Sequence, residues 1–281
     1  MESALNATFD VLSFGAVIVL VVLGLGIIAG MMGIFNFAHG AFVLLGAYTT
    51  YLVYSFGLPV WLGMLASPLV VGTTGFVLER LVVRRFYAVP VVAMLATYAL
   101  GLIIHEGVRG LIGGLYLSVP EPFVGSFAVA GVQFSRWRGA IIVIATAVTI
   151  TSYLLLTRTS FGLRVRAALE NPALARASGV SVGALYAATF TFGAALAGLA
   201  GALVVPLFSL FADLGVRFLI LGFLAILVGG IGTFEGSVAG AAVIGILSAA
   251  LPWAVAPVLA DALVFVIAIL FIKFKPKGLI A

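Results

Sequence analysis

The fold is decided by residues 11–30, which read VLSFGAVIVLVVLGLGIIAG and carry no charged side chain. A helix needs roughly 20 predominantly apolar residues to cross the hydrocarbon core of a bilayer. The run is continuous rather than alternating, and lipid leaves no partner for unpaired backbone groups, so the run predicts a helix and not a barrel strand. The preceding residues 1–10 contain Glu2 and Asp10 but no Lys or Arg. They lack the basic region of a signal peptide, and residues 11–30 are therefore predicted to remain as the first span.

The rest of the chain repeats this pattern. Hydrophobic residues make up 64% of the 281 residues and charged residues 8%, whereas a soluble domain is typically about 45–50% apolar and about 25% charged. A soluble fold of this length cannot bury so much apolar surface. The sequence therefore predicts an all-α, polytopic transmembrane helix bundle of about 8–9 spans in a single domain over residues 1–281.

Eight apolar segments follow the first one, and they lie near residues 41–56, 60–78, 89–104, 139–157, 185–208, 218–234, 237–256 and 258–272. Several are short. The short segments beside the glycine-rich stretches 30–40 and 229–240 are expected to be glycine-interrupted or re-entrant helices.

The basic residues favour one orientation. Of the fourteen Lys and Arg residues, three lie in the loop 79–85, four between 158 and 176, and three in the tail 273–277; the order of the segments puts these ten on one side. Loops rich in Lys and Arg stay in the cytoplasm, which predicts an external N-terminus and a cytoplasmic C-terminus for a multi-pass protein of the cytoplasmic membrane. The longest external stretch, 105–138, contains several Pro and Gly residues and is predicted to be an irregular loop or a short interfacial helix.

Residue usage excludes several functional classes. The chain has no cysteine, which removes disulfides, thiolate metal sites and a cysteine nucleophile. Its two histidines, His39 and His105, are far apart in sequence, so no zinc site is expected. The net charge of +5 comes from short loops between apolar runs, and no nucleic-acid binding is expected. No Gly-Lys-Ser or Gly-Lys-Thr sequence follows a glycine-rich stretch, so the chain is not expected to hydrolyse ATP.

Residues 30–40, GMMGIFNFAHG, place an amide and an imidazole between two apolar segments. Polar groups at membrane depth are costly and tend to face a cavity or a partner. Interrupted helices of transporters expose backbone groups that bind solute. Asn36, Phe37 and His39 are therefore candidates for a translocation path. The alternative is that Asn36 and His39 cap a helix end near the interface, and the residues alone leave these two interpretations equally open.

Residues 229–240, GGIGTFEGSVAG, loosely echo the first stretch, but the spacing differs by one residue and the indication of an internal repeat is weak. Asn36, Phe37 and His39 are predicted to face this segment across the path. Its candidate path residues are Gly229, Gly230, Gly232, Thr233 and Glu235. The alternative for most of its glycines is close packing of helices.

Residues 158–180 form a long stretch between two spans and predict two short helices. Ser160 is expected to cap the first helix, and Asn171-Pro172 to bend the chain and begin the second. Gly179 suits the left-handed position that ends a helix. A plain connection is usually only a few residues long, so this element is interpreted as a docking site for another protein. The alternative is an interfacial helix whose arginines anchor on lipid headgroups.

Together these stretches resemble the smaller membrane permease of branched-chain amino-acid ABC transporters. Asn-Phe-Ala-His-Gly at 36–40, Gly-Gly-Ile-Gly at 229–232, the Arg- and Ala-rich loop at 160–180 and Pro-Lys-Gly-Leu at 276–279 are similar to that family's motifs and occur in the same order. The resemblance covers essentially the whole chain. One departure is Ala41, where many relatives carry an acidic residue.

The resemblance implies partners: a second related permease subunit, two cytoplasmic ATPase subunits that bind ATP and magnesium, and an external solute-binding protein. This chain itself then needs no cofactor. The loop 160–180 would correspond to the coupling helix that docks in a groove of the ATPase, where small side chains such as Ala173 and Ala177 let it sit deeply. The residues expected to carry this contact are Gly162, Arg164, Arg166, Ala167, Ala168, Glu170, Asn171 and Gly179.

Three other functions compete with an importer subunit: an ion-coupled secondary transporter, a passive channel for a small neutral solute such as urea or an amide, and a non-transporting scaffold. Ion coupling usually requires ionisable residues within the membrane. The acidic candidates near spans are Glu106, Glu235 and Asp261, and each lies near the end of a segment. The solute itself cannot be named from the sequence.

Overall fold

The computed structural model describes residues 2–129 and 132–280 as a bundle of helices with one small hairpin. The helices of the described residues are α1 (Glu2–Met32), α2 (His39–Ser55), α3 (Val60–Leu81), α4 (Pro90–Ile112), α5 (Arg136–Arg158), α6 (Ser160–Glu170), α7 (Pro172–Ala177), α8 (Val182–Val204), α9 (Leu214–Gly229), α10 (Phe234–Ala250) and α11 (Pro257–Phe274). The two strands are β1 (Ser126–Val129) and β2 (Val132–Ser135), and short 3₁₀ turns lie at Val83–Phe86 and Leu251–Trp253.

Each of the nine apolar segments contains a helix, but the helices differ in length. In the described part of the chain, seven segments are long and apolar enough to cross a membrane, namely α1, α3, α4, α5, α8, α11 and the 20-residue segment Phe234–Trp253, in which α10 continues into a 3₁₀ turn. Helices α2 and α9 have only 17 and 16 residues, which at about 1.5 Å per residue falls short of a hydrocarbon core roughly 30 Å thick. These two short helices flank the predicted breaks at 30–40 and 229–240.

The stretch between α4 and α5, predicted to be an irregular loop or a short interfacial helix, differs from the prediction. It contains an antiparallel hairpin in which Phe127 lies opposite Phe134. The two rings are 5.8 Å apart, and both contact Phe9 at the start of α1. Cross-strand aromatic pairs stabilise such two-stranded ribbons. The fold is therefore a bundle of membrane helices, as predicted, with one small β-hairpin where an irregular loop or a short interfacial helix was predicted.

Helix α1 lies at the centre of the bundle and packs against α5, α8, α9 and α10. Its side chains are buried on every face, including Ile18, Leu20, Val22 and Leu25. A helix that is apolar all round is typical of the interior of a membrane bundle. The first apolar run of the sequence is therefore the core of the fold.

A close crossing of α2, α3 and α8 is built on small residues. A methyl group at Gly46 of α2 would overlap the backbone of Gly198 in α8. The hydroxyl of Ser67 in α3 donates to the Gly198 carbonyl oxygen at 2.8 Å. Small residues let membrane helices approach closely, and a hydroxyl bonded across the contact adds to it. This crossing holds α2 in the bundle although the helix is shorter than the hydrocarbon core.

The connections gather at two ends of the bundle. At the hairpin end, named for β1 and β2, Asp10 of α1 forms an ion pair with Arg138 of α5. The opposite α6–α7 end also holds the α3–α4 and α9–α10 connections and the C-terminal tail, whose Ile280 N–H donates to the Gly229 carbonyl oxygen at 3.0 Å. The ten basic residues counted above all belong to segments at the α6–α7 end.

Candidate functional site

The break between α1 and α2 buries both polar side chains predicted there. Asn36 and His39 have no exposed surface. Asn36 Oδ1 accepts a hydrogen bond from the Ala38 N–H at 3.0 Å and so shapes the turn. His39 bonds through Nε2 to the carbonyl oxygen of Val21 at 2.8 Å. Since a carbonyl only accepts, Nε2 carries the hydrogen. Val21 lies within α1, so His39, the first residue of α2, is held inside the bundle.

Each of these two side chains keeps one polar atom without a hydrogen-bond partner. Asn36 Nδ2 and His39 Nδ1 are buried, and neither has a partner among the described residues. A buried polar atom left unpaired costs about 1–3 kcal/mol. Such atoms in a native fold call for an explanation, of which a role in function is one.

Phe37 lines a cavity, whereas Asn36 and His39 line none of the three cavities beside the predicted path stretches. Its backbone N–H donates to Thr97 Oγ1 of α4 at 3.1 Å, and its ring lies 4.9 Å from that of Phe223 in α9. The cavity has a volume of about 230 Å³ and lies between α2, α4 and α9. Phe37 therefore forms part of the wall where a short helix, a long helix and a second short helix meet.

The glycines of the second stretch are covered by the chain's own C-terminus. A methyl group at Gly230 would overlap the carbonyl oxygen of Ile280. Gly230 and Gly232 have φ of 112° and 101°, so the turn requires glycine at both positions. Thr233 caps α10 by accepting the Gly236 N–H at 3.1 Å. These contacts explain the glycines by backbone geometry and close packing.

Helix α1 lies between the two predicted path stretches. A methyl group at Gly24 would lie 2.9 Å from His39 Cε1, and one at Gly30 would lie 3.4 Å from Gly232 Cα. Gly232 and Thr233 line a small cavity of about 30 Å³ beside α1. Glu235 lines a third cavity, of about 390 Å³, with α5. The structure thus distributes the predicted residues over three cavities, and a path shared by all of them stays a prediction.

The α6–α7 element has the predicted bend and end. Asn171 Oδ1 accepts the Leu174 N–H at 2.9 Å and caps α7, and Pro172 is the first helical residue. Gly179 has a φ of +82°. The cap of α6 is Thr159 rather than Ser160, because the Thr159 hydroxyl accepts the Gly162 N–H and Ser160 is already helical. Local rules therefore predicted the shape of this element to within one residue.

The predicted coupling residues divide between two faces of the element. Ala168 is fully buried in a cluster with Val165, Ala175, Val182 and Leu185. A methyl group at Gly162 would overlap the Leu156 carbonyl oxygen. The face of α6 that carries Gly162, Val165 and Ala168 points toward the rest of the chain. Gly162 and Ala168 therefore pack α6 against this chain and are not available on its outer surface. The predicted residues on the exposed side are Arg164, Arg166, Ala167, Glu170, Asn171 and Gly179.

One buried carboxylate near this element was missed by the sequence analysis. Glu79, at the end of α3, is fully buried, and its Oε1 accepts the hydroxyl of Tyr87 at 2.6 Å. Burial and this hydrogen bond raise the pKa of the Tyr87 hydroxyl, so it remains a donor. The Tyr87 ring contacts Tyr186 of α8, which packs against the cluster under α6. In the sequence, Glu79 is distinguished only as a single acidic residue in the basic loop 79–85.

A second missed feature is a cluster of charged side chains at the hairpin end. His105 and Arg109 of α4 both contact Asp213, which precedes α9. Glu106 lies beside them. More than one hundred residues separate the two parts of this cluster in sequence, so spacing alone does not reveal it.

The chain is similar to known membrane transport proteins along nearly its whole length. The sequence profile of the family described as branched-chain amino acid transport system, permease component, matches residues 7–272. A probable branched-chain amino acid transport permease protein, LivH, of Methanocaldococcus jannaschii is 30% identical over 246 residues, which is 83% of this chain and 76% of that protein. The high-affinity branched-chain amino acid transport system permease protein BraD of Pseudomonas aeruginosa is 24% identical over 286 residues, which is 96% of this chain and 93% of that protein.

A solved structure shows a related fold. One chain of PsaBC from Streptococcus pneumoniae in complex with Fab has a TM-score of 0.50 and 15% identity, and covers 95% of this chain and 94% of that chain. The family match spans nearly all the membrane helices described above. The chain therefore belongs to the permease components of branched-chain amino acid transport systems, and it is a membrane transport subunit and not an enzyme.

Proposed function

We propose that this chain is one membrane-spanning subunit of an ATP-driven importer for branched-chain or related amino acids. It forms half of the translocation path, and a second related permease subunit forms the other half. Two cytoplasmic ATPase subunits bind ATP and magnesium, and an external solute-binding protein delivers the solute. The observation that carries this proposal is the family match over residues 7–272.

The proposed topology has eight or nine crossings, with the N-terminus outside and the C-terminus in the cytoplasm. Seven long helices and the short α2 and α9 supply these crossings. A helix shorter than the hydrocarbon core is accommodated by local thinning of the bilayer or by its neighbours. The ten basic residues at the α6–α7 end and the four at the hairpin end support this orientation.

The proposed path runs beside the break between α1 and α2. Its support is the pair of buried polar atoms on Asn36 and His39 that lack partners in the described structure. Phe37 adds a wall of the neighbouring cavity. Interrupted membrane helices supply polar groups to solutes in this way. The glycines from Gly229 to Gly232 allow the α9–α10 turn to pack closely against the C-terminal tail beside this path.

The proposed coupling surface is the exposed side of α6 and α7. Leu163 and Leu174 are 62% and 63% exposed there, among Arg164, Arg166 and Ala167. Exposed leucines in a polar rim mark a protein or membrane contact. The inner side is fixed on α8 through the cluster around Ala168, so a force on the outer side reaches a long membrane helix.

The test is to purify and reconstitute the complex. The chain is co-expressed with its partner permease and the two ATPase subunits, and retention of the ATPases on purification is measured. Vesicles that contain the complex and the solute-binding protein should take up leucine only when ATP is present. Uptake that follows a proton or sodium gradient without ATP, or downhill flux of urea, would instead identify a secondary transporter or a channel.

A further inference from the structure

The charged cluster at the hairpin end joins α4 to the start of α9. His105 Nε2 and Arg109 Nη2 lie 3.1 Å and 2.8 Å from the same oxygen, Asp213 Oδ1. The other ring nitrogen of His105 lies 3.1 Å from Glu106 Oε1, and Arg109 Nε lies 3.7 Å from Glu106 Oε2. Two carboxylates and one guanidinium are thus held around a histidine whose side chain is only 14% exposed.

The cluster separates two cavities. On its inner side is the cavity of about 230 Å³, whose wall includes His105 and the apolar side chains of Phe37, Leu44, Leu102 and Leu219. On its outer side is a cavity of about 270 Å³ that includes Arg109, Asp213 and the paired rings of Tyr116 and Phe211. We call His105, Glu106, Arg109 and Asp213 the charged ring, and the cavity of about 230 Å³ the inner chamber. The cavity on the other side of the ring is lined partly by aromatic side chains.

We infer that this ring and the inner chamber bind a branched aliphatic amino acid as its zwitterion. The ammonium group lies between the carboxylates of Glu106 and Asp213, the carboxylate lies at the Arg109 guanidinium, and the side chain enters the inner chamber. The inference rests on the proposed function, and it places selection of the solute in the membrane subunit as well as in any external binding protein.

The chemistry of both parts fits this ligand. A zwitterion brings one charge of each sign, so it replaces the contacts between Arg109 and the two carboxylates without leaving a charge unpaired. An apolar cavity of about 150 Å³ holds a benzene molecule in a protein core, so the larger inner chamber has room for the four carbons of a leucine side chain. Ligand sites of this kind combine an apolar wall with a few placed polar groups.

The charged ring and the inner chamber contribute differently to binding of the amino acid. The carboxylates of Glu106 and Asp213 are 61% and 60% exposed, and exposed ion pairs contribute little affinity. The ring therefore mainly orients the ammonium and carboxylate groups of the amino acid, while the chamber supplies most of the affinity and selects among side chains. One methylene group in an apolar pocket changes selectivity about 10–200-fold, so leucine is favoured over alanine by at least that range.

The direct test uses a leucine analogue with a diazirine in its side chain. The complete importer in vesicles is irradiated with this analogue, and labelled peptides are identified by mass spectrometry. We expect labels on the parts of α4 and α9 that line the inner chamber. Excess leucine should suppress them, and excess alanine should do so much less.

Two pairs of variants separate binding from structure. Asp213→Asn should lower labelling by up to about 5-fold, the effect of losing one exposed ionic contact, whereas Asp261→Asn should leave labelling unchanged, although Asp261 forms a similar exposed ion pair with Arg217 at the same end. Val216→Trp should block the chamber that Val216 lines. Ile220→Trp, one helical turn further along α9, is the matched control, since Val216 and Ile220 are 43% and 44% exposed.

The outcomes decide between this inference and the proposed function. Labels on α5 and α10, or labelling that is unchanged by both Asp213→Asn and Val216→Trp, overturn the inference even if ATP-dependent uptake is normal. Labelling of the chamber without ATP-dependent uptake supports the inference and removes the proposed function. A Val216→Trp complex that still takes up alanine but has lost leucine uptake supports both.

Discussion

Gly179 provides a test of the α6–α7 element in which only the backbone is disturbed. Its φ is +82°, and a methyl group at this position would meet no atom within 4 Å. Gly179→Ala therefore introduces no clash. Its expected cost is that of holding an L-residue in the left-handed region, about 1–2 kcal/mol. Gly179→Asn should cost less, because Asn visits this region readily, and Gly179→Val should cost more, because it is β-branched.

This cost acts at the point where α7 ends and the chain turns into α8. The end is held by hydrogen bonds from the Ser178 N–H to the Leu174 carbonyl oxygen and from the Val180 N–H to the Ala175 carbonyl oxygen, each of 2.9 Å. A loss of about 1–2 kcal/mol raises the population of the opened form roughly 5–30-fold. The membrane bundle should fold and insert normally, since no spanning segment is changed.

The assay combines hydrogen exchange with transport. Exchange of the amides in residues 172–181 should accelerate in the order Asn, Ala, Val, and ATP-dependent leucine uptake by the complex should fall in the same order. Equal uptake by the Asn and Val variants, with exchange ordered as expected, would show that the element's shape is not used in coupling. Unchanged exchange in all three would show that Gly179 is not held in the left-handed region.

Three further predictions concern the same end of the bundle and the orientation. Ala167→Trp should leave the melting temperature of the chain unchanged and lose the ATPase on purification, because Ala167 is exposed; Ala168→Trp should destabilise the chain itself by about 1–3 kcal/mol through overpacking. A cysteine at Ser126 should react with an impermeant maleimide added outside intact cells, whereas a cysteine at Ser178 should react only after lysis. The reverse result would show that the chain has the opposite orientation. Tyr87→Phe should lower the melting temperature, since the loss of a donor to a buried carboxylate costs about 1–3 kcal/mol or more.

Features that depend on a few neighbouring residues were predictable from the sequence. The break at 30–40, the cap at Asn171 and the left-handed Gly179 are confirmed because they follow from the conformational preferences of Asn, Pro and Gly. The predicted cap of α6 was wrong by one residue, because Thr159 and Ser160 both carry a hydroxyl that can accept a hydrogen bond from a helix N-terminus. Only the backbone angle at Thr159, which is extended, distinguishes them.

Features that depend on contacts between distant segments were not predictable. The charged ring joins residues that are 104 and 108 positions apart. The inner chamber needs walls from three helices. The prediction that the stretches 36–39 and 229–240 face each other did not include the central helix α1, because an apolar run reveals that a segment is in the membrane but not which neighbours it has.

Hydropathy is a poor guide to the interior of such a bundle because lipid and protein core are both apolar. Leu20 is fully buried and Leu65 is 63% exposed, and nothing in their chemistry distinguishes them. Threonines do not identify the interior either. Thr73 lies at the surface, where its hydroxyl donates a hydrogen bond to the Leu69 carbonyl oxygen of its own helix at 2.7 Å. The side chains that mark the interior are those that cannot bond to their own helical turn. Asn36, His39 and Glu79 are of this kind, and all three are buried. In a chain of this composition, these few side chains locate the inside of the protein better than the many apolar residues around them.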